Sequence, residues 1–215
     1  MLLTPQRLRL GFTLIELLLI IAIGIVIAGV LLAALARARS RSTAICCNCN
    51  LKQIGLSFRI WANDHGDQNP MHVSTNQGGT LEFVPGGNGF RHVQALSNEL
   101  STPKILICPS DSRKVAADFS TLSNTNLSYF VSLDASEAWP QMLLSGDRFI
   151  GVKGFGSANV LPVGTNAAVY WTKKIHDSDV GNIAHADGSV VQLIDASLQS
   201  EVRTQGVTTN RLAIP

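Results

Sequence analysis

Four cysteines are the residues best suited, by type and spacing, to do chemistry in this chain. Cys46-x-x-Cys49 has the spacing of a dithiol redox motif or of half a zinc site. The redox reading wants a thioredoxin-like setting. The zinc reading wants a second pair, and only Cys108 remains, with His65 and His72 to complete four ligands. In an oxidising compartment a disulfide is the more natural outcome. A second concentration lies near residue 180, where Asp177, Asp179, Asp187 and Asn182 offer oxygen atoms suited to Ca²⁺. His176 and His185 stand beside these acids as acid–base candidates. A solvated loop closed by a type I′ turn at Asp187-Gly188, with the histidines as surface polar residues, explains the same pattern without a ligand. Gly151-x-x-Gly154-x-Gly156 lacks both the spacing and the βαβ setting of a dinucleotide fingerprint. With no nucleophile elbow, HExxH or P-loop in the sequence, an enzyme is not expected, and no cofactor is expected beyond the calcium candidate just described.

The other chemically conspicuous residue is Glu16. It opens an apolar segment in which Leu17 to Ala36 are twenty consecutive uncharged residues. A charged side chain there costs on the order of 2.5–3.5 kcal/mol on insertion scales, so a cationic partner is expected. Twenty helical residues span roughly 30 Å, the thickness of a bilayer core. The composition agrees, since 46% of the 215 residues are hydrophobic and only 15% charged, against about 25% charged in a typical soluble domain. The formal net charge of +2 averages two regions. Residues 1–41 carry five Arg and one acid, whereas residues 42–215 carry twelve Lys/Arg against fourteen Asp/Glu. Without a basic cluster in that second part, nucleic acid is not an expected partner. Arg37, Arg39 and Arg41 suit a lipid headgroup layer at the end of the span.

Beyond the span, Cys47, Leu51, Ile54, Phe58 and Trp61 recur at intervals of four, three, four and three. That spacing predicts a helix with one packing face. No Pro interrupts residues 12–61, so one helix of about fifty residues is expected, stopping at Asn63-Asp64-His65-Gly66-Asp67. Cys47 lies on the packing face and Cys108 ends the apolar run Ile105-Leu106-Ile107-Cys108, read as a short buried strand. Cys47–Cys108 is therefore the expected disulfide. A short strand is expected at Leu81–Val84, a short helix at Val93–Leu100, and strands at Leu127–Leu133 and Ala167–Trp171. Asn182–Ala186 and Ser189–Leu193 should form a hairpin about Asp187-Gly188, followed by a helix near Ala196–Arg203 with Asp195 as its N-cap. One long helix followed by short strands predicts an α+β fold with the helix packed on a small antiparallel sheet.

Gly11-Phe12-Thr13-Leu14-Ile15-Glu16, placed directly before the apolar run, resembles the prepilin-type cleavage and methylation motif of type IV pilins and type II secretion pseudopilins. The resemblance implies a pilin-like fold and four parts: a leader (1–11), a transmembrane helix (12–36), its amphipathic continuation (37–62) and an extracytoplasmic α+β domain (63–215). It further implies cleavage between Gly11 and Phe12 by a prepilin peptidase, N-methylation of Phe12, and a role for Glu16 in docking subunits. The new α-amine at Phe12 would lie one helical turn before Glu16, as a partner in the same or a neighbouring subunit. The implied partners are other pilin or pseudopilin subunits, an inner-membrane assembly platform and lipid. The implied location is the bacterial inner membrane, crossed once, with an assembled filament as the product.

The segment Asn50–Gly55, Cys108-Pro109-Ser110-Asp111 and His176…Asp187-Gly188 are similar to the pilin-like proteins of Planctomycetes and Verrucomicrobia that carry an H-x9-DG motif. Here ten residues separate His176 from Asp187, and His185 replaces the aromatic residue often found before Ala-Asp-Gly. Some pseudopilins bind calcium in C-terminal loops, but Asp177, Asp179 and Asp187 do not match those loops residue by residue. Three other readings of the N-terminus and domain stand beside this one. Ala34-Leu35-Ala36 has the form of a signal-peptidase site, although the apolar run exceeds the usual 7–15 residues. A plain single-pass anchor is another. The third is a membrane-tethered binding module for a glycan, metal or surface partner, using the stem for export.

Overall fold

The computed structural model describes residues 11–156, 158–172, 176 and 180–215. The chain divides into two compact units, Met1–Arg41 and Ser42–Pro215. Helix α1 (Leu14–Asp64, 51 residues) belongs to both. It runs unbroken through Gly24, Gly29 and Gly55, each of which costs up to about 1 kcal/mol relative to Ala. Its end is enforced locally. The Ala62 carbonyl accepts the N–H groups of His65 and Asp67, both at 2.9 Å. Gly66 and Asp67 take positive φ, the left-handed geometry that stops a helix.

In the second unit one face of α1 is sealed. Cys47, Leu51, Ile54 and Phe58 are at most 1% exposed, while Ile45 and Leu56 on other faces remain open. Cys47 is joined to Cys108 by a disulfide. The segment after α1 is built from 3-10 turns at Pro70–His72, Thr75–Gln77 and Leu81–Gly86, then helices α2 (Gly89–Gln94) and α3 (Ser97–Leu100), then a 3-10 turn at Pro103–Leu106. Two expected strands are thereby corrected. Leu81–Val84 coils because Pro85 has no N–H for a ladder and Gly87 turns the chain at positive φ. Ile105 and Leu106 belong to a turn that Pro103 opens and Thr102 Oγ1 caps, accepting the Lys104 N–H at 3.4 Å.

The strands follow: β1 (Tyr129–Ser132), β2 (Leu143–Asp147), β3 (Ile150–Val152), β4 (Val160–Gly164), β5 (Val169–Trp171), β6 (Val180–His185) and β7 (Val190–Ile194). Helix α4 (Asp195–Thr204) and strand β8 (Thr209–Ala213) complete the chain. Six strands form one antiparallel sheet in the order β4-β8-β1-β2-β6-β7, and β3 pairs with β5 in a small second sheet. Successive side chains of a strand point to opposite faces, and both faces are used. Tyr129, Val131, Leu144 and Ala184 pack into the cluster that contains the α1 face. Phe130, Leu143, Ile183 and Leu212 pack into a second cluster with Leu198 and Val202 of α4. The architecture is α+β, with the stem half of α1 against one face of an antiparallel sheet.

The hairpin forms between β6 and β7, but its turn differs from the expected type. His185 N–H bonds Ser189 O and Gly188 N–H bonds His185 O, each at 2.9 Å, so three residues, Ala186-Asp187-Gly188, make the connection. Only Gly188 has positive φ (83°), whereas a type I′ turn needs two such residues. Asp195 is the first residue of α4 rather than its cap; its carboxylate accepts the Trp171 N–H at 2.8 Å.

Burial fixes the charge state of His92, whose Nδ1 lies 2.7 Å from Thr80 Oγ1. Desolvation pushes its pKa down from 6.5 to about 4. The unfolded chain binds the proton more readily, so the stability held above about pH 6.5 is lost as pH falls toward 4. The slope approaches about 1.4 kcal/mol per pH unit. Urea midpoints recorded at about pH 7.5 and pH 5 should therefore converge in His92→Gln; an unchanged pH loss in that variant would refute the assignment.

Candidate functional site

Gly11, Phe12 and Thr13 precede α1 in non-helical conformation, and all three are exposed. Glu16 sits at the third helical position and has a local partner in Thr13. The Thr13 N–H and Thr13 Oγ1 both donate to Glu16 Oε2, at 2.8 and 2.9 Å, and the Glu16 N–H donates to Thr13 Oγ1 at 3.3 Å. This is a capping box, and its signature Thr-x-x-Glu stands in the sequence at residues 13–16. It satisfies donors of the helix start and places the acid where the helix dipole favours a negative charge. Around it Phe12, Leu14 and Ile15 are 75–80% exposed, and the apolar side chains continue exposed through Leu35. The helix is long and apolar enough to cross a membrane.

The Asp187-Gly188 turn meets the stem through its backbone, although the Asp187 side chain is exposed. Arg59 Nη1 donates to the Asp187 carbonyl at 3.0 Å, and Arg59 Nε lies 3.5 Å from Glu137 Oε1. A Cβ on Gly55 would stand 3.6 Å from Gly188 Cα, so stem and hairpin turn meet backbone to backbone. Asn50 Nδ2 donates to the Ile107 carbonyl at 3.0 Å, next to the disulfide residue Cys108. The similar segment Asn50–Gly55 and the Asp187-Gly188 pair are thus two sides of one joint. Its signal was present in the sequence as two separate short motifs, but nothing in their spacing ties one to the other.

His176 and His185 are both buried, a correction to their reading as surface polar residues. Each lies beside an acid. His176 Nε2 lies 3.0 Å from Asn182 Nδ2 and 3.5 Å from Asp147 Oδ2. His185 Nε2 lies 3.0 Å from Glu201 Oε1, and its Nδ1 lies 3.1 Å from Ser189 Oγ. Asp147 was not a sequence candidate, since it follows Ser145 and Gly146 in a run that reads as a loop. Asp177 and Asp179, two of the calcium candidates, fall outside the described residues. The third, Asp187, spends Oδ1 on the Ser189 N–H at 2.7 Å. Cys46 and Cys49 are free and exposed on α1. His65 stacks on Trp61 with ring centroids 3.5 Å apart, so it is occupied away from those thiols.

Among the described residues the second unit carries hollows at the stem and at the small sheet. One of about 410 Å³ is lined by Leu56, Arg59, Ile60 and Glu137 beside the stem. Another, about 340 Å³, is lined by Phe155, Tyr170, Gly151 and Thr172 at the small sheet. No family model matches the chain, and no curated protein or solved structure is significantly similar to it.

The Gly55–Gly188 approach yields a paired expectation. Gly55→Ala should be neutral or stabilising by up to about 1 kcal/mol, because its Cβ makes an ordinary contact and the helix gains propensity. Gly55→Val should destabilise by about 1–3 kcal/mol, since its γ-methyls overfill the joint. Denaturant unfolding of both variants checks this, and equal behaviour of the two would count against a close joint.

Proposed function

We propose that the chain is a pilin-like structural subunit, stored in the membrane by α1 and polymerised through it into a pseudopilus or pilus-like filament. The observation that carries this reading is the N-terminal end of α1. An exposed junction at Gly11-Phe12 precedes a helix whose large apolar side chains from Leu14 to Leu35 are exposed among the described residues. Such a helix is at home in lipid before assembly and against other helices afterwards. A prepilin peptidase would cut at the exposed junction and free the Phe12 amine for methylation. Glu16 would then be the one charge in an apolar packing surface. In the free chain Thr13 holds it; in a filament a neighbour's Phe12 amine would replace part of that contact and favour one register of docking. The subunit would be held in the inner membrane by this single span, with an assembly platform and other subunits as its partners. Its role on this reading is structural, with no reaction at the domain.

A second reading, a membrane-tethered binding module, draws on the 340 Å³ hollow with the partly exposed rings of Phe155 and Tyr170 at its edge. The Glu16→Ala substitution separates the two. On the filament reading, cleavage and membrane insertion stay near wild type. The yield of sheared surface fibres drops on the order of tenfold, equivalent to about 1.4 kcal/mol per docking step. Undiminished fibres from Glu16→Ala would refute the assigned role of the acid. Ligand binding by a chain that forms no fibres would favour the module.

A further inference from the structure

We propose that Cys47, Cys108 and His176 form a zinc site when the Cys47–Cys108 disulfide is reduced. A ring nitrogen of His176 and the two sulfur atoms lie within 4.8 Å of one another, and no other group of the kind occurs among the described residues. All three side chains are buried, at 0, 0 and 6% exposure. The pocket also carries three buried polar atoms without a hydrogen-bond partner: His176 Nδ1, Asp147 Oδ1 and Asn182 Oδ1. Each costs about 1–3 kcal/mol, more than packing around a disulfide requires.

The histidine is oriented from behind. Its Nε2 faces Asn182 Nδ2 and Asp147 Oδ2, and Asp147 Oδ2 is itself fixed by the Asn182 N–H at 2.7 Å and Nδ2 at 3.0 Å. A carboxylate behind one imidazole nitrogen, with the other nitrogen unpartnered, is the arrangement that orients a metal-bound histidine. Two thiolates and an imidazole suit zinc, and the thiolates cancel its charge, which a site this dry requires. Zinc bonds of about 2.0–2.3 Å place tetrahedral ligand atoms roughly 3.3–3.8 Å apart, so the sulfurs part by less than about 2 Å.

The change balances with a dithiol reductant. It passes two electrons to the S–S bond and becomes a disulfide itself, while Cys47 and Cys108 take up two protons as thiols. Zinc then displaces both protons and forms two Zn–S bonds. Nδ1 ligates as the neutral ring, which moves the ring proton to Nε2 and requires the Asn182 Nδ2 donor, 3.0 Å away, to turn aside so that Asp147 Oδ2 can accept it.

The test uses the full chain in detergent micelles with Cys46→Ser and Cys49→Ser, because that exposed pair would bind metal on its own account. Cobalt(II) serves as the spectroscopic probe and zinc as its competitor. The reduced chain should bind one equivalent of cobalt, with a thiolate-to-cobalt charge-transfer band and the intense visible bands of a tetrahedral site; zinc should bleach both. The oxidised chain should show neither. His176→Ala should weaken binding at least about tenfold and alter the visible bands. A reduced, folded chain without the charge-transfer band would overturn the site, as would a spectrum unaffected by His176→Ala. So would a reduced chain whose β-sheet signal is lost and not regained with zinc.

Discussion

The interaction on which the second unit depends is the burial of one face of α1 against the sheet. Cys47, Leu51, Ile54 and Phe58 are sealed there with Tyr129, Val131, Leu144 and Ala184. Each large apolar side chain so buried contributes about 1.5–3 kcal/mol before the entropy of ordering is counted. The disulfide between Cys47 and Cys108 closes a loop of 61 residues. In the chain-entropy picture that removes about 4 kcal/mol of freedom from the unfolded state. Without this face the loops between residues 65 and 128, which contain no strand, would have nothing to condense on. The hairpin turn at Asp187-Gly188 reaches the same helix from the other end of the chain through Arg59 and Gly55.

One helix therefore serves two environments. From Leu14 to Leu35 its apolar residues surround the axis and remain exposed; from Cys47 to Trp61 they form a stripe and are covered. The covered part gains its stability inside the chain. The exposed part gains no such cover from the described residues, and it is long and apolar enough to cross a membrane. On the proposed reading this division is what lets a folded, disulfide-bonded domain be carried by a segment whose partners change during assembly. Glu16 fits that division because its charge is held locally by Thr13, a contact that on the proposed reading a neighbouring subunit would replace in part.

The parts legible in the sequence are those governed by periodicity or by a single strong turn. The 3–4 spacing from Cys47 to Trp61 gave away the packing face and, with it, the cysteine that pairs with Cys108. Asp187-Gly188 marked the hairpin, although the turn type was misjudged because Asp187 keeps an ordinary φ. Strand β2 was not legible: its Ser145, Gly146 and Asp147 look like a loop, yet all three are buried. Ser145 Oγ is satisfied by the Phe130 carbonyl at 2.7 Å. At Gly146 a Cβ would stand 2.7 Å from the side chains of Phe130 and Ile183, so only glycine lets the layers close. Strand β4 hid behind Pro162, which an edge strand accommodates. In the candidate sites, Thr13 and Glu16 are neighbours in sequence and were readable as a capping box. The pairing of His176 with Asp147 depends on the β2–β6 register, which no local pattern specifies.

The most direct measurement is the N-terminal sequence and intact mass of the chain after co-expression with a prepilin peptidase. A mature species that begins at Phe12 and carries one added methyl group is the expected result. It would establish the route on which membrane storage and filament assembly both rest. A species beginning after Ala36, or a chain that keeps residues 1–11 in the presence of active peptidase, would contradict it.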